Sequence, residues 1–248
     1  MKKLILIIIL IMAIFQMVAI SANLFADGFE GGNTAAWSDE SDAENDLTVA
    51  TGAAALHGTY GLSAFIDNTT PMYVKDLTPN AEKRYRCRFY IDPNGLAMAN
   101  NDEFLILCCE KTEWVTSFFI NLLYTTAAGY QIYLSERGDI PSWYATSKYA
   151  ITDAPHCIEV DWKASSGAGQ NNGTIELLID GVSKQTLISI DNDTEDVTVV
   201  YLGVFQAVDA GTLGTFFLDD FASNNDGSEI GVIAEAPAGN AIMMGINL

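Results

Sequence analysis

Positive charge is scarce in this chain of 248 residues. It carries 12 Lys and Arg against 32 Asp and Glu, for a formal net charge of −20 at pH 7. Two of those cations, Lys2 and Lys3, stand at the extreme amino terminus, so the rest of the chain is more acidic still. Nucleic acid is thereby excluded as a partner, because phosphate binding needs clustered cations. Histidine is nearly absent: His57 and His156 are the two in the chain, and neither has a Ser or Cys partner at motif spacing, so a hydrolytic triad is unsupported. The "GAGQNNG" stretch lacks the Lys-Ser/Thr of a phosphate-binding loop and opens no helix. No amphipathic helical pattern runs beyond about ten residues. Four cysteines, Cys87, Cys108, Cys109 and Cys157, have neither the density of a disulfide scaffold nor the spacing of a zinc site. Alternation turns Cys87 toward the core and Cys157 away from it, and sends adjacent Cys108 and Cys109 to opposite faces. Buried free thiols are expected.

What is present begins with an apolar leader. Residues 1–22 read as a signal peptide: Lys2 and Lys3 as the basic start, Leu4 to Phe15 as the apolar stretch, and Ile20-Ser21-Ala22 as a small-residue exit. The run up to Ile20, broken only by Gln16, is also long enough for an uncleaved anchor, the one route by which the chain would meet a membrane. Cleavage is the expectation, and with it a secreted protein, extracellular, at a cell surface or in a periplasm. The surplus of acid reads as solubility outside the cell or as divalent-cation sites.

After the leader the pattern has period two. Apolar alternation marks "GLSAFI", "MYVKDL", "KRYRCRFYID", "DEFLILCCE", "TSFFINLLY", "GYQIYLSE", "HCIEVDWKA", "GTIELLIDG", "VTVVYLGV" and "GTFFLDDFAS" as strands, separated by turn clusters such as "DPNG" and "IDNDTED". Many antiparallel strands in one run predict an all-β fold, a two-sheet antiparallel jelly-roll sandwich, as one domain over residues 23–224. Residues 225–248 change character to a small-residue tail, either an edge strand or a mobile segment. Its apolar end, "AIMMGINL", is a candidate for self-association.

Alternation also nominates a face. Arg86, Arg88 and Tyr90 lie opposite core-facing Phe89 and Ile91, and Glu159 and Asp161 lie opposite Ile158, Val160 and Trp162. Asn121 falls opposite Ile120 and Leu122, and Gln131 and Tyr133 opposite Ile132 and Leu134. If these strands share one sheet, its non-core face gathers all eight residues, and such a mixture of donors, acceptors and aromatic rings suits a sugar. The alternative is a solvated face of cross-strand Arg–carboxylate ladders.

The order of "DGFEGGNTAAW", "HGTYGL", "YRCRFYIDP", "HCIEVDWKASSGAGQNNGTIELLIDGV" and "GTFFLDDFAS", over residues 24–224, resembles the concanavalin A-like lectin/glucanase superfamily. More narrowly, it is similar to the exported laminin G-like and carbohydrate-binding-module-like jelly rolls of bacteria. The resemblance implies a polysaccharide or surface glycan as partner, bound in a concave sheet or along the sandwich edge. It also implies a structural calcium between the first and last strands, with Asp27, Glu30, Asp219 and Asp220 at the matching positions. In a regular strand Asp219 and Asp220 face opposite ways, so one of them is expected as a direct ligand.

Glycosidases of the superfamily carry an E-x-D-x-x-E strand. Glu159-Val160-Asp161 matches its first half, but Lys163 and Ala164 stand where the second acid should fall. Lyases with this fold pair an Arg-rich strand with a "QIH"-like strand, and "YQIYL" has Tyr133 where the histidine would be. The expected function is a non-catalytic carbohydrate-binding or surface-recognition module. A divergent lyase or glycosidase and a structural assembly protein are the alternatives.

Overall fold

The computed structural model of the protein describes residues 23–140, 142–206 and 208–234. The leader and the "AIMMGINL" end lie outside these residues. The chain forms β1 (Phe25–Asp27), β2 (Asp39–Ser41), β3 (Leu47–Ala50), β4 (Gly61–Ile66), β5 (Met72–Asp76) and β6 (Arg84–Asp92). There follow β7 (Glu103–Thr112), β8 (Val115–Thr125), β9 (Gly129–Arg137), β10 (Trp143–Ala145) and β11 (Tyr149–Ala150). The last five are β12 (His156–Lys163), β13 (Gly173–Ile179), β14 (Val182–Ile190), β15 (Val199–Gln206) and β16 (Gly214–Asn224). Among the described residues the only helical turn is a 3-10 turn over Gly52–Ala54.

The strands make two antiparallel sheets of eight. Sheet I runs β14-β13-β12-β6-β16-β4-β3, with β1 also paired to β16; sheet II runs β10-β9-β8-β7-β15-β5-β2, with β11 beside β9. Alternation explains the sandwich. Tyr85, Cys87, Phe89 and Ile91 of β6 and Ile158, Val160 and Trp162 of β12 enter one core with Phe118, Ile120 and Leu122 of β8 and Val200, Leu202 and Val204 of β15. The sheets meet through Phe104 against Phe216, ring centroids 5.5 Å apart, and Phe118 stacked on Trp162 at 5.8 Å. Glu136 of β9 enters this core, where it accepts the Trp162 indole N–H at 2.7 Å and the Asn192 amide, and burial pushes its pKa up to about 8. All four cysteines are free and buried.

Two irregularities adjust the period of two. A bulge in β7 between Leu105 and Leu107 lets Ile106 and Leu107 both join the core, leaving Leu105 and Cys108 on the outward side. In β15, Gly203 has φ +135°, and a Cβ there would lie 2.6 Å from the Met72 carbonyl oxygen, so only glycine lets β15 approach β5 so closely.

The acidic amino-terminal stretch is a lock on the end of sheet I. Asp27 accepts the Phe29 N–H and the Trp37 indole N–H, both at 2.9 Å, while Trp37 packs edge-on against Phe25 and against Phe221 of β16. Glu30 accepts the N–H groups of Thr59 and Tyr60 at 2.8 and 3.0 Å, and these bonds lower its pKa. After β16, residues 225–234 form no strand; they return across the outward face of sheet I.

Candidate functional site

The eight residues nominated by alternation do not share a face. Arg86, Arg88 and Tyr90 of β6 and Glu159 and Asp161 of β12 belong to sheet I; Asn121 of β8 and Gln131 and Tyr133 of β9 belong to sheet II. The outward faces of a two-layer sandwich point away from each other, so the eight cannot line one site. Alternation separates inside from outside but does not say which sheet a strand joins.

The sheet I group is closed over. Arg84 and Arg86 both bond Asp161, which lies directly across from Arg86, and Arg86 also pairs diagonally with Glu159. The returning segment then seals the row. Glu159 accepts the N–H groups of Ile230 and Gly231 at 3.1 and 2.9 Å, and the Tyr90 hydroxyl accepts that of Ile233 at 2.7 Å. Arg86 and Arg88 are each 7% exposed and Glu159 1%. The expectation of an open ligand face here is corrected: Arg84, Arg86, Glu159 and Asp161 form an Arg–carboxylate ladder held by main-chain groups, and Arg88 is buried with its Nε and Nη1 unpartnered among the described residues. Arg88 lies over the Tyr90 ring, 5.4 Å from its centroid.

The outward side of sheet II is an aromatic row. Tyr73 of β5 meets Tyr201 and Phe205 of β15 at centroid distances of 5.1 and 5.4 Å, and Tyr201 stacks on Phe205 at 4.3 Å. Across Cys108, which lies between Tyr201 and Phe119 in the register, Phe119 of β8 packs against Trp143 of β10 at 5.1 Å, and Trp143 is half exposed. Beside this row the Asn121 amide donates to the Tyr133 hydroxyl, which donates to Glu103 at 3.0 Å. The Asn121 carbonyl oxygen is buried without a partner among the described residues. Burial pushes the Tyr133 hydroxyl up to about 12, so it stays protonated. Gln131 donates to Thr125 at 2.9 Å. The polar groups at the centre of this face bond to one another rather than to a covering segment. Rings for stacking beside paired donors and acceptors are the elements by which proteins hold sugars.

Sequence reasoning placed Asn121, Gln131 and Tyr133 on the outward side but passed over Tyr73, Glu103, Tyr201 and Trp143. The signal for Tyr73 and Tyr201 was available, since Met72 and Val74, and Val200 and Leu202, alternate with them. Trp143 sits on a three-residue strand too short to show a period.

The four acids matched to a calcium site do not come together as expected. Asp27 and Glu30 hold the amino-terminal turn, as described above. Asp219 and Asp220 instead meet His57, with ligand atoms of all three within 4.8 Å of one another. A bulge after Asp219 and a left-handed φ of +48° at Asp220 bring the two carboxylates to one side, correcting the opposed placement of a regular strand. Asp220 pairs with His57 Nδ1 at 2.8 Å, and Asp219 accepts the N–H groups of His57 and Asp220 at 3.0 and 2.7 Å. Burial, with the Asp220 charge adding, raises Asp219 to about 7.

No protein-family model matches the chain, and no curated protein does. Among solved structures, the alginate lyase Aly36B superposes with a TM-score of 0.53 at 12% identity, covering 86% of this chain and 98% of that one. The receptor-binding domain of botulinum neurotoxin type G superposes at 0.51 and 12% identity over 82% of this chain, which spans 48% of that domain's length. At these identities the likeness is one of fold: a jelly-roll-like sandwich of two antiparallel sheets.

Proposed function

We propose that the protein is a non-catalytic carbohydrate-binding module of the concanavalin A-like kind, which takes a glycan across the outward face of sheet II. The observation that carries this reading is the aromatic row of Tyr73, Tyr201, Phe205, Phe119 and Trp143 beside the Asn121–Tyr133–Glu103 hydrogen-bond chain. Tyr201 and Phe205 are 2% and 4% exposed, so the surface a polymer would meet is half-exposed Trp143 with the part-exposed rings of Tyr73 and Phe119. Similarity of fold to a polysaccharide lyase supports a glycan as the ligand class. Lyase chemistry itself is disfavoured. The arginines such a site would use stand in the other sheet, and a Tyr133 held protonated is a poor base.

The test is titration of the protein against a panel of soluble polysaccharides, with product release followed in parallel. Saturable binding without new product is expected. Trp143→Ala and Tyr73→Ala should each weaken it about 2- to 12-fold, the equivalent of a stacking contact. Glu159→Gln, on the opposite face, should leave it unchanged. Binding lost through Glu159→Gln but retained in Trp143→Ala would move the site to sheet I, and no binding to any glycan would end the proposal.

The calcium expectation passes to Asp219 and Asp220. Their carboxylates would supply the charge, main-chain oxygens and water the remaining ligands, and His57 would have to release Asp220, since calcium prefers oxygen. Calcium binding there would raise Tm and EDTA would reverse the rise. A Tm indifferent to both would leave the two acids as hydrogen-bond acceptors for the His57 loop.

A further inference from the structure

Because cations are few in this chain, their pairing carries information. On sheet I, Arg84 and Arg86 are neutralised by Asp161 and Glu159, and Lys83 lies 3.7 Å from Asp196. Lys163 lines a cavity of about 390 Å³ with Lys83 and Arg84, but those two are already paired and Asp193 forms part of the same wall. Lys163 and Lys184 of sheet I also make no ion pair among the described residues but lie over no ring, and Arg88, which makes none, is buried; the outward face of sheet II differs in setting lysines over aromatic rings. Lys75 lies over the Tyr201 ring with Nζ 5.6 Å from the centroid, and Lys148 over the Tyr133 ring at 5.4 Å. Neither makes an ion pair among the described residues. Arg137, in the outward phase of β9 opposite Trp143, makes none either.

Of the acids bordering this face, Glu103 and Glu110 are engaged or withdrawn, while Asp39 and Glu113 are exposed and Glu113 lies near enough to raise the Tyr201 pKa. Glu103 accepts from Tyr133, and Glu110 is 1% exposed, accepts the Trp114 N–H, and has its pKa raised by burial. Asp39 stands opposite Lys75 in the pairing of β2 with β5, but beyond ion-pair distance. At physiological salt the field of a charge fades over about 8 Å, so the acidic remainder of the molecule does not cancel these local cations. A neutral sugar would need none of them. A polyanion approaching so acidic a protein can bind only where cations stand free.

We infer that the glycan taken by this face is anionic, a polysaccharide bearing carboxylate or sulfate groups, with Lys75, over Tyr201 in the aromatic row, and Lys148, over Tyr133 beside it, seating those groups. The inference rests on the glycan reading of the same face. The flexible lysine stems let each ammonium swing from its ring to a ligand anion, freeing the ring to stack on a sugar.

The experiment compares alginate as a polyuronate, dextran sulfate as a sulfated polymer and dextran as a neutral one, at low salt and at about 0.5 M salt, where screening is nearly complete. One anionic polymer should bind at least about tenfold tighter than dextran at low salt and lose at least that factor at high salt. The two anionic arms identify which group is read. Lys75→Gln with Lys148→Gln should remove that preference while leaving Tm unchanged. Equal or tighter binding of dextran, or anionic binding indifferent to salt and to the lysine pair, overturns the inference and leaves the glycan reading standing. No binding in any arm overturns both.

Discussion

Glu136 is a carboxyl group between two sheets, facing an indole N–H and an amide N–H with no cation beside it. Its folded pKa of about 8 lies above the ordinary 4.5 because burial penalises the charged form. The sign follows from linkage. Below pH 4.5 the group is neutral whether the chain is folded or not, and its contribution to stability is whole. As pH rises toward 8 the unfolded chain ionises first, and stability falls across that window by a few kcal/mol, on the order set by the pKa difference. Glu136→Gln keeps the acceptor oxygen for Trp162 and Asn192 and removes the titration. Urea denaturation midpoints measured from pH 5 to about 9 should therefore decline in the parent, and decline less in the variant, where Asp219, raised to about 7, still titrates and the curve flattens above that pH. A parallel decline in both would place the pH dependence elsewhere. From sequence, Glu136 is legible only as an acid in phase with Ile132 and Leu134; that it accepts from Trp162 of a strand in the other sheet is a contact between layers, which alternation cannot reach.

The segment 225–234 matters at the scale of elements. Its N–H groups are ligands for Glu159 and Tyr90, and the Gly227 carbonyl oxygen lies within 3.4 Å of Arg86. Removing Glu159 leaves the guanidinium of Arg86 with Asp161 alone, so Glu159→Ala should cost about 3 kcal/mol, the low end for breaking a buried pair, in chemical denaturation. Stability lowered by less than a surface substitution would mean the ladder is solvated in solution. The longer strands were legible nearly to the residue, "GLSAFI" being β4 and "MYVKDL" running one residue past β5, because one buried face imposes strict alternation, while the short β2, β10 and β11 were not read. The returning segment was not legible. It is held through main-chain groups, and main-chain recognition leaves no side-chain period to read. The face it covers therefore read from sequence as open, and five of the eight nominated sugar contacts fell on it. The bulge that unites Asp219 with Asp220 was hidden for a related reason, since a local left-handed turn at an aspartate has no signature in apolar spacing.

At the scale of the molecule, the two sheets divide the work. Sheet I carries β1 and β16, the sealed ion ladder and the paired acids, while sheet II presents rings with lysines lying over them. Variants that disturb one face should accordingly leave the other's behaviour intact. The seam between β1 and β16 reaches further. Phe25 lies opposite Ser223, 198 residues along the chain, and Trp37 is packed by a ring of β16. Hairpins such as β7–β8 and β8–β9 can close as soon as they are made, but the first strand has no partner until the last has been synthesised. Contacts this distant in sequence put the fold among the slow ones, closing in milliseconds to seconds rather than microseconds. A ribosome still translating holds an open, unfinished sandwich, and completion waits for release of the carboxyl-terminal residues. Nascent chains stalled before Gly214 should thus remain protease-sensitive throughout, and protection should appear in one step once β16 and the segment beyond it are free.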